Sequence, residues 1–357
     1  MNHSGNIATS GRILRCYCLF LSILCVLLAV TSLYGCTSKE DKLNQTVVAT
    51  CNGYDIRYEE LRFLTLFYKD SLAATYGKDI WDDPATAETY RAELEGLVKE
   101  HLKENYVILT TCAAYQIDID SDMADTYADQ QIETLIDEEF DGKKSAYRAW
   151  LEKNWMTDSF FRFSLRVSYL ESALYYTLLD NHVFLYDTSN IDEYIDYVLT
   201  SDQYFRTVHV YIRNDEGESP EANLAEAQRV SQALHAVANA DDRLKLMNSY
   251  IGSTVNDDLT SVSGDGYYFT IGEMDEKYEE EVLKLAVGEV SEAFSCSNGY
   301  FVVMRLAPEE AYVMNNCATL LKNYQASMLG LLEDSYRDVC VVEYNEYGQS
   351  LDLLSIQ

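Results

Sequence analysis

The sequence predicts an α+β protein in which a module of strands and helices lies between stretches of long helices. Long stretches have apolar residues three and four positions apart, and the 357 residues include just three prolines, so long helices run uninterrupted. An alternating stretch at Phe205–Ile212 and an apolar run at Gly299–Leu306 predict strands of a small sheet. A chain of this length favours two domains over one.

The N-terminus has the charge and hydropathy pattern of a secretory signal. The first 35 residues contain no acid, two arginines and then a nearly unbroken apolar run, Cys16–Leu33. Leu33-Tyr34-Gly35-Cys36 resembles a bacterial lipobox, so we expect a signal peptide at 1–35 and a diacylglyceryl group on Cys36. The protein would then lie outside the cytoplasm, anchored to the cell membrane by lipid. The alternative is an uncleaved membrane anchor, because the run approaches the roughly 20 residues that span a bilayer.

Charge and cysteine content exclude several classes of function. The net charge is -32, which repels nucleic acid and anionic lipid headgroups. We therefore expect no nucleic-acid partner and membrane contact through the lipid only. Five cysteines follow Cys36, and their odd number and scatter predict buried free thiols rather than a disulfide framework or a metal site. They are Cys51, Cys112, Cys296, Cys317 and Cys340, and an approach of Cys51 to Cys340 stays open.

Three aspartates, Asp118, Asp120 and Asp122, are spaced like the start of a calcium loop. Such a loop needs glycine at its sixth position and glutamate at its twelfth, where this chain has Met123 and Asp129. Helix capping by these acids is the better interpretation. We expect no metal and no cofactor.

The helical part is predicted to begin with a hairpin. Val47–Ile56 holds two short strand patterns around Asn52-Gly53, a strong turn signal. Helical periodicity then covers about Tyr58–Tyr76, Ala85–Tyr115, Asp122–Glu138, Lys144–Asn154 and Asp158–Leu179. A last helix, about Glu310–Asp338, leads to the β-branched stretch Val339–Tyr344, which predicts a strand.

The inserted module begins with the strand Phe205–Ile212. Its next elements are helices at about Pro220–Ala238 and Asp241–Tyr250, a polar loop, a strand after Gly264-Asp265-Gly266, a helix at about Asp275–Leu285, and two strands that end at Leu306. This order, with the motifs Gly272-Glu273-Met274 and Asn298-Gly299-Tyr300, resembles the parvulin family of peptidyl-prolyl cis/trans isomerases. The whole arrangement resembles the extracytoplasmic foldases of the PrsA and SurA type.

That resemblance implies a domain plan. The lipidated tether would cover 36–46, a helical chaperone domain 47–198, and a parvulin-like domain 199–308. The segment 309–357 would return to the helical domain, with Val339–Tyr344 pairing with Val47–Thr50.

The resemblance also implies a site. His209 and Asp257 stand at catalytic positions, with Asp258 or Asn256 as register alternatives for the carboxylate. Met274, Tyr278 and Leu283 stand where the family grips the proline ring, and Phe301 occupies the place of the family's second histidine. Since the family's two histidines hydrogen-bond each other, the loss of one predicts weak activity, which Phe301→His should raise. The other interpretation of His209 is a half-buried strand residue kept with the fold.

Two functions follow as hypotheses. The first is a membrane-anchored foldase that binds unfolded or proline-containing secreted polypeptides and has weak isomerase activity. The second is a non-catalytic holdase with a degenerate parvulin domain. The sequence leaves monomer and homodimer open, and its many tyrosines either line a binding surface or fill helix interfaces.

Overall fold

The computed structural model describes residues 42–214, 219–258 and 266–357. The predicted signal peptide and the lipidation site Cys36 lie outside these residues. Within them, no helix is both long and apolar enough to cross a bilayer. The described residues divide into two compact units: a helical unit, 42–181 with 332–357, and a sheet unit, 182–331. The predicted α+β class, helices with small antiparallel sheets, is confirmed.

The helical unit is closed by a sheet that both ends of the chain share. Strands β1 (Val47–Cys51) and β2 (Tyr54–Arg57) form the predicted hairpin, in which Asn52 and Gly53 both have positive φ. Strand β7 (Val342–Tyr344) pairs antiparallel with β1, so the order is β2-β1-β7. The predicted pairing of the two chain ends is therefore confirmed.

The long helices of this unit follow the predicted periodicity. They are α1 (Tyr58–Tyr76), α2 (Pro84–Leu102), α3 (Glu104–Ala114), α4 (Asp122–Glu139), α5 (Lys144–Lys153) and α6 (Asp158–Asp180). The single helix expected over Ala85–Tyr115 is wrong, because the chain breaks at Lys103 between α2 and α3. Neither glycine nor proline marks that break. Ser121 caps α4, and Asp118 accepts a hydrogen bond from the Asp120 backbone in the preceding turn.

A buried carboxyl group joins α1 to α3 inside this unit. Glu60 accepts hydrogen bonds from the Arg57 backbone and from the Tyr106 hydroxyl, at 2.9 and 2.7 Å. The same hydroxyl lies 3.0 Å from the Asp55 carbonyl oxygen. Burial raises the pKa of Glu60 to about 7, because the charged form loses its hydration.

The sheet unit is built on four antiparallel strands in the order β4-β3-β6-β5. They are β3 (Tyr204–Arg213), β4 (Tyr267–Thr270), β5 (Phe294–Cys296) and β6 (Gly299–Leu306). Helices α8 (Pro220–His235) and α9 (Ala240–Ile251) share a core with Val208, Val210 and Ile212 of β3. Helix α10 (Glu276–Leu283) shares another core with Phe205 of β3.

Two further helices belong to the sheet unit. Helix α7 (Ile191–Thr200), which we did not expect, and most of α11 (Glu310–Ser335) share a core with β3 and β4. This core holds the tyrosines Tyr194, Tyr204, Tyr268 and Tyr324. These tyrosines fill helix and strand interfaces. The short helix α12 (Glu346–Ser350) follows β7 in the helical unit.

Candidate active site

The candidate site lies on one face of β3, because successive strand side chains point to opposite faces. Val208 and Val210 contribute to the core of α8 and α9, so Thr207, His209 and Tyr211 lie on the face of α10. His209 is opposite Val303 of β6, and Tyr211 is opposite Phe301. The sheet register thus places Phe301 beside the histidine.

Five polar side chains, with His209 in the middle, form a continuous line of hydrogen bonds. Thr207 Oγ1 lies 2.9 Å from the Tyr278 hydroxyl, which lies 3.0 Å from His209 Nδ1. On the other side of the ring, His209 Nε2 lies 2.8 Å from Asp258 Oδ2. The Tyr267 hydroxyl donates a hydrogen bond to the same carboxylate oxygen. We call Thr207, Tyr278, His209, Asp258 and Tyr267 the polar line.

The hydrogen-bonding capacities of these groups determine the tautomer of a neutral His209. A carboxylate only accepts hydrogen bonds, so Nε2 carries the hydrogen and donates it to Asp258. Nδ1 then accepts from the Tyr278 hydroxyl, and Thr207 donates to the tyrosine oxygen. The ring therefore has a defined orientation without a second histidine.

Aromatic rings enclose the imidazole on its remaining sides. The Tyr267 ring stacks on it with centroids 4.8 Å apart and planes 4° apart, and Phe301 meets it edge to face at 5.1 Å. Tyr211 in turn stacks on Phe301 at 4.5 Å. His209 is 5% exposed, so the described residues leave its ring little contact with solvent.

Tyr278 is a buried member of the polar line rather than a wall of an open pocket. It is 1% exposed, and burial raises the pKa of its phenol above the usual value. The hydroxyl therefore stays protonated at neutral pH and serves as a permanent donor. Resemblance placed this residue at a proline-gripping position, but its hydroxyl gives it a second contact, with His209.

The carboxylate beside His209 is Asp258, the register alternative, and not Asp257. Asn256 Oδ1 accepts the Tyr211 backbone N–H at 3.0 Å, and Asp257 Oδ2 accepts that of Arg213 at 2.9 Å. Strand β4 pairs with β3 only as far as Thr207, so this edge of β3 needs other partners. Asn256 and Asp257 supply these partners, and the next residue, Asp258, reaches His209.

Leu283 lies on the outer side of α10. Its side chain is 47% exposed, whereas the neighbouring Val282 is buried in the core with Tyr278. The turn of α10 thus directs Val282 inward and Leu283 outward. The proline-gripping role of Leu283 stays a prediction.

Met274 and Phe301 are half-buried at the edge of the same core. Met274 is held by Glu279 of α10, whose Oε1 accepts the backbone N–H groups of Gly272 and Met274 at 2.8 and 2.9 Å. Glu279 is a positioning residue that sequence reasoning missed. Glu279 follows Met274 by five residues in the sequence, but nothing in the sequence indicated that its side chain accepts hydrogen bonds from the backbone of Gly272 and Met274.

Gly266 lets the strand that carries Tyr267 approach β3. Its φ is +73°, and a Cβ there would stand 2.5 Å from the Thr207 carbonyl oxygen. An L side chain would clash at that distance and also strain the backbone. Glycine at this position therefore allows Tyr267 to stack on His209.

The arrangement combines a polar line with an apolar rim. The apolar rim consists of Met274, Phe301 and Tyr211, which are partly exposed. The polar line ends at Asp258, whose side chain is 13% exposed, and at Tyr267, whose exposure is intermediate. Among the residues that the structure describes, no group of three or more His, Cys, Asp or Glu side chains could hold a metal ion.

Comparison with known proteins finds structural likeness alone. No family model matches the chain, and neither does any curated protein. Among solved structures, the foldase PrsA from Streptococcus pneumoniae is 15% identical, with 82% of this chain and 90% of that chain covered and a TM-score of 0.33. PrsA from Bacillus anthracis, described as a peptidylprolyl isomerase, is 13% identical over 67% of this chain and 94% of that one, with a TM-score of 0.31.

A structure described under SurA-like chaperones of Campylobacter jejuni is also similar. It is 12% identical over 84% of this chain and 99% of that one, with a TM-score of 0.28. The chain is thus similar to proteins of the PrsA and SurA type, at low identity and low TM-scores. Any function has to be argued from the residues of this chain.

Proposed function

We propose that this protein is an extracytoplasmic folding factor that binds extended, proline-containing segments of unfolded polypeptides and weakly isomerises their X-Pro bonds. The observation that supports it is the polar line through His209, which ends at Asp258 and Tyr267 beside the apolar rim of Met274 and Phe301. The polar line offers groups that can interact with a twisted amide, and the apolar rim offers a surface for the proline ring; a catalyst of amide rotation needs both.

Isomerisation requires the planar amide to twist, with a barrier of about 18–20 kcal/mol. No bond to a heavy atom is made or broken, so the enzyme has only to bind the twisted amide better than the planar one. The apolar rim would hold the proline ring. Asp258 and Tyr267, held in place by His209, would interact with the amide as conjugation is lost.

The activity is proposed to be weak because Phe301 replaces the second histidine of the family that the sequence resembles. In that family, the first histidine is paired with the second one. Here the Tyr278 hydroxyl makes that hydrogen bond from α10. The network is therefore oriented, but a tyrosine hydroxyl takes the place of an imidazole.

Anchoring is part of the same proposal. The apolar run before Cys36 and the lipobox-like sequence support export and attachment through a diacylglyceryl cysteine. Two acyl chains are what stable membrane attachment requires. Mass spectrometry of the N-terminal peptide would then find Cys36 as the first residue, carrying the diacylglyceryl group, and an uncut sequence through residues 1–36 would support the uncleaved anchor instead.

The test of catalysis uses residues 37–357 expressed without the signal. A protease-coupled assay on a prolyl peptide measures turnover of the parent, of His209→Ala and of Asp257→Asn as the matched control. We expect turnover in the parent, its loss in His209→Ala, and near-parent values in the control. Parent activity at the uncatalysed rate would refute the enzyme.

The burial of His209 and Tyr278 favours the second candidate, a non-catalytic holdase. A holdase suppresses aggregation of an unfolded client without changing its X-Pro exchange rate. Light scattering of a thermally unfolded client, with parent and with His209→Ala, separates the two. Equal suppression by both proteins, with no isomerase activity in either, would support the holdase.

A further inference from the structure

Two cysteines of the helical unit meet where the two ends of the chain join in one sheet. Cys51 is the last residue of β1 and lies opposite Val342 of β7. Cys340 directly follows the 3-10 turn Arg337–Val339 and precedes Val342 by two residues. The pairing of Cys51 with Val342 therefore brings Cys340 to the end of the sheet where Cys51 lies.

The side chains of both cysteines are buried at this junction. The Cys340 thiol adds to the effect of burial in raising the pKa of Cys51. Cys340 Sγ lies 3.4 Å from Thr110 Oγ1 of α3, and the side-chain amide of Asn52, next to Cys51, donates to that same hydroxyl at 3.1 Å. Cys51 is 0% exposed and Cys340 is 3% exposed. Cys340 and the residue after Cys51 thus share one partner on α3.

The remaining cysteines after Cys36 are placed differently. The thiol of Cys112 points to the Leu170 carbonyl oxygen at 3.5 Å. Cys296 and Cys317 belong to the sheet unit. The odd number of cysteines argued against a disulfide framework, but two of the five, Cys51 and Cys340, lie at the same junction of the fold.

We propose that Cys51 and Cys340 form a disulfide that joins β7 covalently to β1 and fastens the two ends of the chain together. In this step both S–H bonds break, one S–S bond forms, and two protons and two electrons leave. The two electrons and two protons pass to a second disulfide, of a small molecule or of a protein, which is reduced to two thiols. The exchange proceeds through a mixed disulfide on one of the two cysteines.

The burial of the pair determines when the bond forms. The thiolate is the reactive species, and burial raises the pKa of Cys51 to about 12 in the folded protein. An oxidant therefore reacts before β7 docks or when β7 opens locally. β7 has three residues and lies at the edge of its sheet, and such short edge elements open locally at low cost in free energy.

The bond would close most of the described chain into one loop. Crosslinks that close long loops restrict the unfolded ensemble most. It would also protect a short edge strand, and hence the closure of the helical unit. This inference is independent of isomerase activity.

The test is peptide mapping of the full-length protein in detergent. The protein is reduced, unfolded in guanidinium chloride, and refolded with reduced and oxidised glutathione, then alkylated and digested without reductant. We expect a crosslinked peptide that contains Cys51 and Cys340. We also expect an apparent Tm roughly 5–10 °C above that of the same protein kept reduced and not alkylated. Refolded protein in which both cysteines are fully alkylated would overturn the proposal.

Variants provide the matched control. Cys340→Ser should abolish the crosslink and the Tm difference between oxidised and reduced protein, whereas Cys317→Ser should keep both. A crosslink that involves Cys112, Cys296 or Cys317 in the parent, in place of the pair, would also overturn the proposal. The mapping uses parent protein, so it decides the matter even if Cys340→Ser does not fold.

Discussion

Restoring a histidine at position 301 should fail on its own and succeed only when the Tyr278 hydroxyl is also removed. In the structure, His209 Nδ1 and Nε2 have partners at 3.0 and 2.8 Å, so an added imidazole at 301 finds no ring nitrogen to bond. Phe301→His alone would leave a half-buried polar ring beside Tyr211 and His209. This revises the expectation from sequence that the single substitution raises turnover.

The magnitudes follow from one hydrogen bond made or lost. Tyr278→Phe leaves Nδ1 of a buried histidine without its donor, which costs about 1–3 kcal/mol of folding stability. It also removes the bond that orients His209 and, through it, Asp258. We expect this loss of orientation to lower kcat/KM about tenfold, which corresponds to about 1.36 kcal/mol of transition-state stabilisation, and Tyr278→Phe/Phe301→His to recover most of it. The single Phe301→His variant should not exceed the parent.

The assay is a double-mutant cycle in prolyl-peptide turnover, with urea denaturation of each variant to confirm folding. A coupling energy of about 1–2 kcal/mol between positions 278 and 301 is expected. Additive effects, or a gain in Phe301→His equal to that of the double variant, would show that the tyrosine hydroxyl does not occupy the place of the second histidine.

Three other predictions test separate features. Asp258→Asn should lower turnover about tenfold while Asp257→Asn changes it less than twofold, because only Asp258 contacts the histidine; equal losses would contradict that assignment. Gly266→Ala should cost about 1–3 kcal/mol in urea unfolding, since its Cβ would meet a strand carbonyl at 2.5 Å; unchanged stability would refute the close approach. The pKa of Glu60 is about 7 in the folded protein and 4.5 in the unfolded chain. Between these pH values the folded state binds more protons, so the free energy of unfolding should fall by up to about 3 kcal/mol as the pH rises. Glu60→Gln should flatten that slope, measured as urea midpoints at pH 5 and pH 7.5, and a parallel slope in the variant would assign it to other groups.

Local signals gave the parts of the fold that depend on local chemistry. Asn52-Gly53 predicted the first hairpin because both residues accept positive φ. The bounds of Tyr58–Tyr76 followed from periodicity alone. Helix α7 was missed although Ile191, Tyr194 and Val198 have helical spacing, so the signal was present. The break at Lys103 had no signal, because no residue there disfavours a helix.

The site could be predicted only to within a residue. Whether Asp257 or Asp258 reaches His209 depends on which backbone groups of β3 need partners, and that depends on where β4 stops. Similarly, a rotation of about 100° per residue along α10 decides that Val282 is buried and Leu283 exposed. The role of the Tyr278 hydroxyl depends on a contact between distant segments, so sequence alone could not show it.

The refolding of a client whose slow phase is limited by X-Pro isomerisation tests the central claim most directly. The rate of that phase would be measured with rising concentrations of residues 37–357, of His209→Ala and of Asp258→Asn. We predict a modest acceleration by the parent that rises with concentration and disappears in both variants. A slow phase that stays at its spontaneous rate at every concentration of folded parent protein would contradict the proposed isomerase.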